Sequence, residues 1–179
     1  MKDVFLTIGH SNRPIETFVG MLQEAEVRLI VDVRTVRRSR ANPQYNGETL
    51  AASLAERAIG YEFVAELGGL RGRQRGVTSD VNAFWDNESF HNYADYAMSR
   101  EFAVGLSRLR ELGRAHRCAI MCAEAVWWRC HRRIIADYLI ATGETVRHIV
   151  GPRRIEEARM TSAAKRMPDG TLAYPAADR

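Results

Sequence analysis

Long apolar runs are missing from this 179-residue chain. None approaches the roughly 18 consecutive apolar residues of a membrane-spanning helix. The opening MKDVFLTIGH also lacks the longer apolar region of a secretory signal. No membrane partner is expected, and the cytoplasm is the expected location. Cysteine is scarce: three residues, an odd number, which argues against a disulfide framework. If Cys118 and Cys122 share a strand they lie about 13 Å apart at roughly 3.3 Å per residue, beyond bridging distance, so reduced thiols are expected. Cys122, Cys130, His131 and His10 are the residue types that bind zinc, but the tight CxxC pairs of structural zinc sites are absent. Neither a metal nor a cofactor is expected. Lysine is nearly absent, two residues beside twenty-four arginines, within a net charge of +4. Arginine's planar fork suits phosphates and base edges, although an Arg- and Ala-rich composition also follows from a GC-rich genome. Internal repeats and low-complexity segments are lacking too. The length suits one domain, 1–151, with a C-terminal extension, 152–179, packing on it.

What is present centres on Arg117 to Arg133, RCAIMCAEAVWWRCHRR. Cys118 to Cys122 reads as a strand buried on both faces, ending in a polar turn that contains Glu124. A helix then runs from Cys130 to about Thr142, with Ile134, Ile135, Tyr138 and Leu139 on one face and Gly143 closing it. Arg132 and Arg133 fall in its first turn, where the helix dipole disfavours cations. A compensating negative group is therefore expected, either Glu124 or a bound anion.

The rest alternates. Val4 to Ile8, Arg28 to Val33, Gly60 to Val64 and Thr145 to Val150 read as further strands. Helices are expected after Pro14, over Gly47 to Ala58, Phe90 to Tyr96 and Glu101 to Leu112, and over Ile155 to Lys165. Arg37 to Asn46 reads as a long basic loop, and Arg71 to Asn87 as a mobile loop or lid. Pro168-Asp169-Gly170 reads as the turn of a small hairpin between Arg166-Met167 and Thr171 to Tyr174. The fold class that follows is α/β, a mainly parallel, doubly wound sheet of about five strands with helices on both faces and a small C-terminal hairpin.

Ligands of such sheets bind at the carboxyl ends of the strands. The unusual polar residues fall there: His10, Ser11 and Arg13 after the first strand, Asp32 and Arg34 at the second, Gly68 and Gly69 after the third, Cys122 and Glu124 after the fourth. Glu124, a carboxylate ending an apolar strand, is a candidate general acid or base, or the partner of Arg13, Arg129 or Arg132. Cys122 is a candidate nucleophile beside a helix N-terminus, and His10 a candidate proton carrier. Ser11, Arg13, Arg34, His131 and Arg132 are candidates for holding an anion, and Asp32 and Tyr45 for contacting the substrate beside them. Asp32 and Arg34 can equally pair with each other. Tyr45, Trp85, Trp127 and Trp128, interleaved with Arg37 to Arg40 and Arg71 to Arg75, suggest a nucleic-acid surface.

TIGHSNR, DVR, SRANPQYN, ELGGLRGR, FHNYADYA, MCAE followed by WRCHRR, VRHI and DGTLAYP together resemble the bacterial and archaeal family described as domain of unknown function 488. The resemblance spans nearly the whole chain and implies an α/β cytosolic protein, without implying a reaction. Val126-Trp127-Trp128 departs from the smaller polar or proline-containing turn usual in that family. Three functions are consistent with the residues: an enzyme acting on a phosphate-bearing small molecule or nucleic acid with Glu124 as acid or base, a non-catalytic module binding nucleic acid through basic loops, or redox or sulfur-transfer chemistry at Cys122.

Overall fold

The computed structural model describes residues 4–178. Strands β1 (Val4–Gly9), β2 (Leu29–Asp32), β3 (Gly60–Phe63), β4 (Cys118–Cys122) and β5 (Thr145–Gly151) form one parallel sheet. A sixth strand, β6 (Arg154–Glu157), runs antiparallel to β5 and completes the order β3-β2-β4-β1-β5-β6. The strands are short apolar runs with successive side chains on opposite faces, and both faces are covered. On one side Phe5, Val31 and Ile120 pack against α3 (Glu88–Tyr96), α4 (Arg100–Ala115) and α5 (Arg132–Ala141). On the other, Leu6, Ile8, Ile30 and Met121 pack against α1 (Ile15–Glu24) and α2 (Gly47–Ala55). The expected α/β architecture is therefore present, including the small antiparallel hairpin of β7 (Lys165–Arg166) and β8 (Leu172–Ala173).

The neighbouring strands β1 and β4 send the chain in opposite directions, β1 through α1 to β2 and β4 through α5 to β5. Because α1 and α5 lie on opposite faces, a crevice opens between the carboxyl ends of β1 and β4, the place where such sheets bind ligands. The backbone ladder continues past both strands there: His10 N–H donates to Cys122 O and Ser11 N–H to Ala123 O, each at 2.9 Å. This close approach requires glycine at position 9, where a Cβ would sit 1.9 Å from the Glu124 carbonyl oxygen.

Two expectations are corrected. Ile155 to Lys165 is not a helix. Pro152-Arg153, with Arg153 at φ 56°, makes a two-residue turn that folds β6 back onto β5, and the chain beyond it is irregular. The segment Arg71 to Asn87 is not free along its length. Asn82 is fully buried, accepting from Tyr174 N–H at 2.9 Å and donating to Asp95 at 2.7 Å, and Trp85 packs in the core.

Gly9→Ala is expected to destabilise the protein by more than about 2 kcal/mol in urea unfolding, because a methyl against a backbone carbonyl cannot be relieved by a rotamer change. An unchanged midpoint would show that the β1 and β4 ends separate easily.

Candidate functional site

Three adjacent strand ends, those of β2, β4 and β1, build the site. At β2, Asp32 is fully buried and held by Arg34: Nε donates to Oδ1 at 3.0 Å and Nη2 to Oδ2 at 2.8 Å. Tyr61 Oη–H also donates to this carboxylate. The remaining terminal nitrogen of Arg34, Nη1, lies 3.2 Å from His10 Nε2.

His10 is itself buried, stacked on Tyr45 at 4.1 Å between ring centroids. Its Nδ1 lies 2.7 Å from Ser11 O, which can only accept, so the proton sits on Nδ1 and Nε2 accepts from Arg34. Burial lowers its pKa to about 4, with the Arg34 charge adding to the effect against the Ser11 hydrogen bond. His10 is thus a neutral structural acceptor near pH 7 rather than a titrating group. Tyr45, expected at the ligand surface, is fully buried and donates its hydroxyl to Arg13 O at 2.7 Å. Arg13 in turn directs Nε to Gly9 O at 3.4 Å.

The centre of the site is sulfur. Cys122 ends β4 and Cys130 precedes α5, and both are buried. Arg132, only 1 % exposed, aims at Cys130: its backbone N–H and its Nε both lie 3.4 Å from Cys130 Sγ. Its other nitrogens donate to Thr7 Oγ1 at 3.0 Å and to the Glu124 carbonyl at 2.7 Å. No carboxylate is within ion-pair distance of this guanidinium among the described residues. His131 Nε2 lies 2.9 Å from Val33 O, so that nitrogen carries the proton and Nδ1, 3.6 Å from Cys130 Sγ, faces the sulfur. Gly69 leaves room for this ring; a Cβ there would sit 2.5 Å from His131 Nδ1.

The two thiols are pushed apart. Burial raises Cys122 well above the ordinary thiol range, and the neighbouring Cys130 sulfur adds to this. Burial would raise Cys130 as well, but the neighbouring Cys122, His131 and Arg132 hold it well below that range. In the geometry, the Cys122 S–H is directed at the Glu124 carbonyl, 3.6 Å away, while the Cys130 sulfur receives the backbone N–H and Nε of Arg132. Of the arginines expected to hold phosphate, Arg34 and Arg132 are spent inside the protein, on Asp32 and on this sulfur, and Arg13 directs its Nε to Gly9 O. The side chain that meets Arg132 in the first turn of α5 is Cys130, expected only among the zinc-type residues, and not the Glu124 carboxylate.

Glu124 is exposed rather than buried, because the chain turns outward two residues after β4 ends. Its Oε1 accepts from Val126 N–H at 3.1 Å, and it forms no ion pair with Arg13, Arg129 or Arg132. Its carbonyl, not its carboxylate, meets Arg132. In the apolar turn that follows, Trp127 stacks on His148 at 4.5 Å while Trp128 is half-exposed. Rings near the basic loops are occupied internally: Arg37 lies over Phe63 and Arg71 over Tyr96, and Trp85 is covered by Arg133. No group of three or more His, Cys, Asp or Glu side chains is arranged to hold a metal among the described residues. The four zinc-type side chains do not converge, since both ring nitrogens of His10 are used elsewhere.

A cavity of about 340 Å³ opens onto Cys122, Cys130 and His131, with Glu124 and Arg129 at its edge and Val36, Leu70, Phe90 and Tyr93 as apolar walls. A second of about 490 Å³ lies beyond Arg34 and holds Ser11, Asn12, Arg38, Ser39 and Asn42. A family model described as a domain of unknown function, DUF488, matches residues 14–139. The chain belongs to that family. The match takes in the Asp32-Val33-Arg34 strand end and the whole sulfur site, while Gly9, His10 and the C-terminal hairpin lie outside it. No curated protein and no solved structure matches the chain.

Burial also lowers His148 to about 4, with the Arg132 charge adding to it; the ring faces Thr7 Oγ1 at 2.6 Å. Unfolding returns both His10 and His148 to about 6.5. The unfolded chain then binds protons that the folded one refuses, so stability is full above pH 6.5 and falls as pH drops toward 4, by up to about 3 kcal/mol per histidine. Melting temperatures measured from pH 7 to 5 should decline accordingly, and His148→Asn should remove part of the slope. A flat profile would contradict the neutral assignment.

Proposed function

We propose that the protein is an enzyme of nucleophilic thiol chemistry, with Cys130 as the attacking group. The observation that carries this is the buried guanidinium of Arg132 directed at Cys130 Sγ with no carboxylate beside it. A buried cation without a counter-charge is costly, and a thiolate supplies that charge where the sulfur also lines a cavity. Lowered thiol pKa values at helix N-termini beside Arg and His are the usual mark of reactive cysteines. His131, oriented by Val33 O, resembles the base of a Cys-His pair.

In this chemistry the Cys130 sulfur forms a bond to an electrophilic carbon, phosphorus or sulfur of the substrate. The bond to the leaving group breaks, and that group departs with the electron pair. His131 Nδ1, facing the sulfur, takes the Cys130 proton and passes it to the departing group, and water or a second substrate then releases the S-linked group, so the reaction is a hydrolysis or transfer. Cys118, fully buried mid-sheet with its pKa raised to about 12 by burial, takes no part. A second reading keeps Glu124 as the acid or base acting on a phosphate-bearing substrate, favoured by its position at the edge of the same cavity.

Alkylation by iodoacetamide, followed for each cysteine by peptide mass spectrometry between pH 5 and 9, tests the proposal. Cys130 should react at pH 6 at least tenfold faster than Cys118 or Cys122, and Arg132→Met and Gly69→Ala should each reduce that advantage. Glu124→Gln should leave it intact. A Cys130 rate that rises only near the ordinary thiol pKa of about 8.5 would exclude the thiolate.

A further inference from the structure

The second cavity differs in character from the thiol cavity although Arg34, Val36 and Ala123 line both. Its lining has no carboxylate. Asp32, the nearest acidic group in sequence, is fully buried behind Arg34, with its oxygens taken by Arg34 and Tyr61. The residues lining the space include the Ser39 hydroxyl, the Asn12 and Asn42 amides and the Arg38 guanidinium, with the Ser11 hydroxyl donating to Asn12 Oδ1 at 3.5 Å. Arg38 has no hydrogen-bond or ion-pair partner among the described residues, unlike Arg34 beside it.

The loop that carries Arg38 is pinned on both sides of it. Ser39 N–H donates to Asn46 Oδ1 at 2.8 Å, Asn42 N–H to Ser39 Oγ at 2.9 Å and Gly47 N–H to Arg37 O at 2.9 Å. The Arg37 guanidinium lies 4.0 Å above the Phe63 ring. Ser11 is fixed as well, held at φ 50° by its ladder bond to Ala123 O. A concave site on a pinned loop, with hydroxyl and amide groups and one exposed arginine that has no partner among the described residues, is complementary to an anion.

We propose that this polar cavity is the subsite for an anionic group of the substrate, a phosphate or a carboxylate. The substrate's apolar part lies against Val36, Leu70, Phe90 and Tyr93 and presents its electrophilic centre to Cys130. The substrate class is then a small organic anion with an apolar or aromatic portion, long enough to pass Arg34. The assignment to a substrate rests on the thiol chemistry proposed above, whereas the anion site itself does not.

Isothermal titration calorimetry in a chloride buffer, with phenyl phosphate and benzoate as probes, separates these points. Saturable binding of at least one probe is expected, weakened tenfold or more by Arg38→Gln. Arg154→Gln, the same charge change on exposed β6, should leave it unaltered. Binding of phenyl phosphate alone identifies a phosphate subsite, and of benzoate alone a carboxylate subsite. Absence of binding by both, or equal loss in the Arg38 and Arg154 variants, overturns the proposal. Titration of Cys130→Ser keeps it distinct from the thiol chemistry: binding is retained there if the polar cavity is the anion site. A saturable slowing of Cys130 alkylation by the bound probe shows that the two cavities serve one substrate, and alkylation indifferent to a saturating probe removes the anion from that substrate.

Discussion

The contact on which the rest of the site depends is the one between the Arg132 guanidinium and its three partners, a hydroxyl, a carbonyl and a sulfur. Thr7 on β1, the Glu124 carbonyl in the turn after β4, and Cys130 ahead of α5 are all bonded to one buried side chain. It ties together two strand ends and a helix start that are distant in sequence. Because the guanidinium has five N–H donors in a rigid fork, the acceptors must come to it, and the crevice takes its shape from that demand. The hydrogen bonds extend further to His148, whose Nδ1 lies 2.6 Å from the same Thr7 hydroxyl.

A second buried arginine organises the neighbouring wall in a different way. Arg34 has a full carboxylate partner, and its leftover donor fixes the tautomer of His10. One arginine is therefore paired with a carboxylate, and the other with a sulfur, a hydroxyl and a carbonyl. That asymmetry, more than the number of charged groups at the sheet edge, distinguishes the two walls of the crevice.

The sheet and its two helical layers were legible because β1, β2 and β4 are apolar runs ended by polar turns, and α1, α4 and α5 carry apolar stripes at helical spacing. The location of the site followed from topology, since strand ends gather at one edge. Its chemistry was less legible. Glu124 stood out as a carboxylate after an apolar strand, but whether such a residue is buried depends on where the chain turns, and here it turns outward at once. Tyr45 looked like a stacking ring, yet it fills the space between His10 and α1. Cys130 carried a signal of its own: cations in a first helical turn are disfavoured without a compensating neighbour, and a thiol stands just ahead of His131 and Arg132. Only the side-chain geometry shows that the neighbour is this sulfur rather than Glu124. The β6 strand was hidden because all four of its residues are exposed, which removes the alternation by which strands are recognised.

That same strand has a consequence for how molecules of this protein meet one another. A parallel sheet ending at β5 would offer an unpaired, largely apolar rim on which another chain could continue the ladder. β6 instead closes that side with Arg154, Glu156 and Glu157, all outside and all charged. Charged edge strands discourage intermolecular sheet growth. A two-residue turn at Pro152-Arg153 thus acts as a guard against aggregation, set on the flank of the molecule away from β2 and β3.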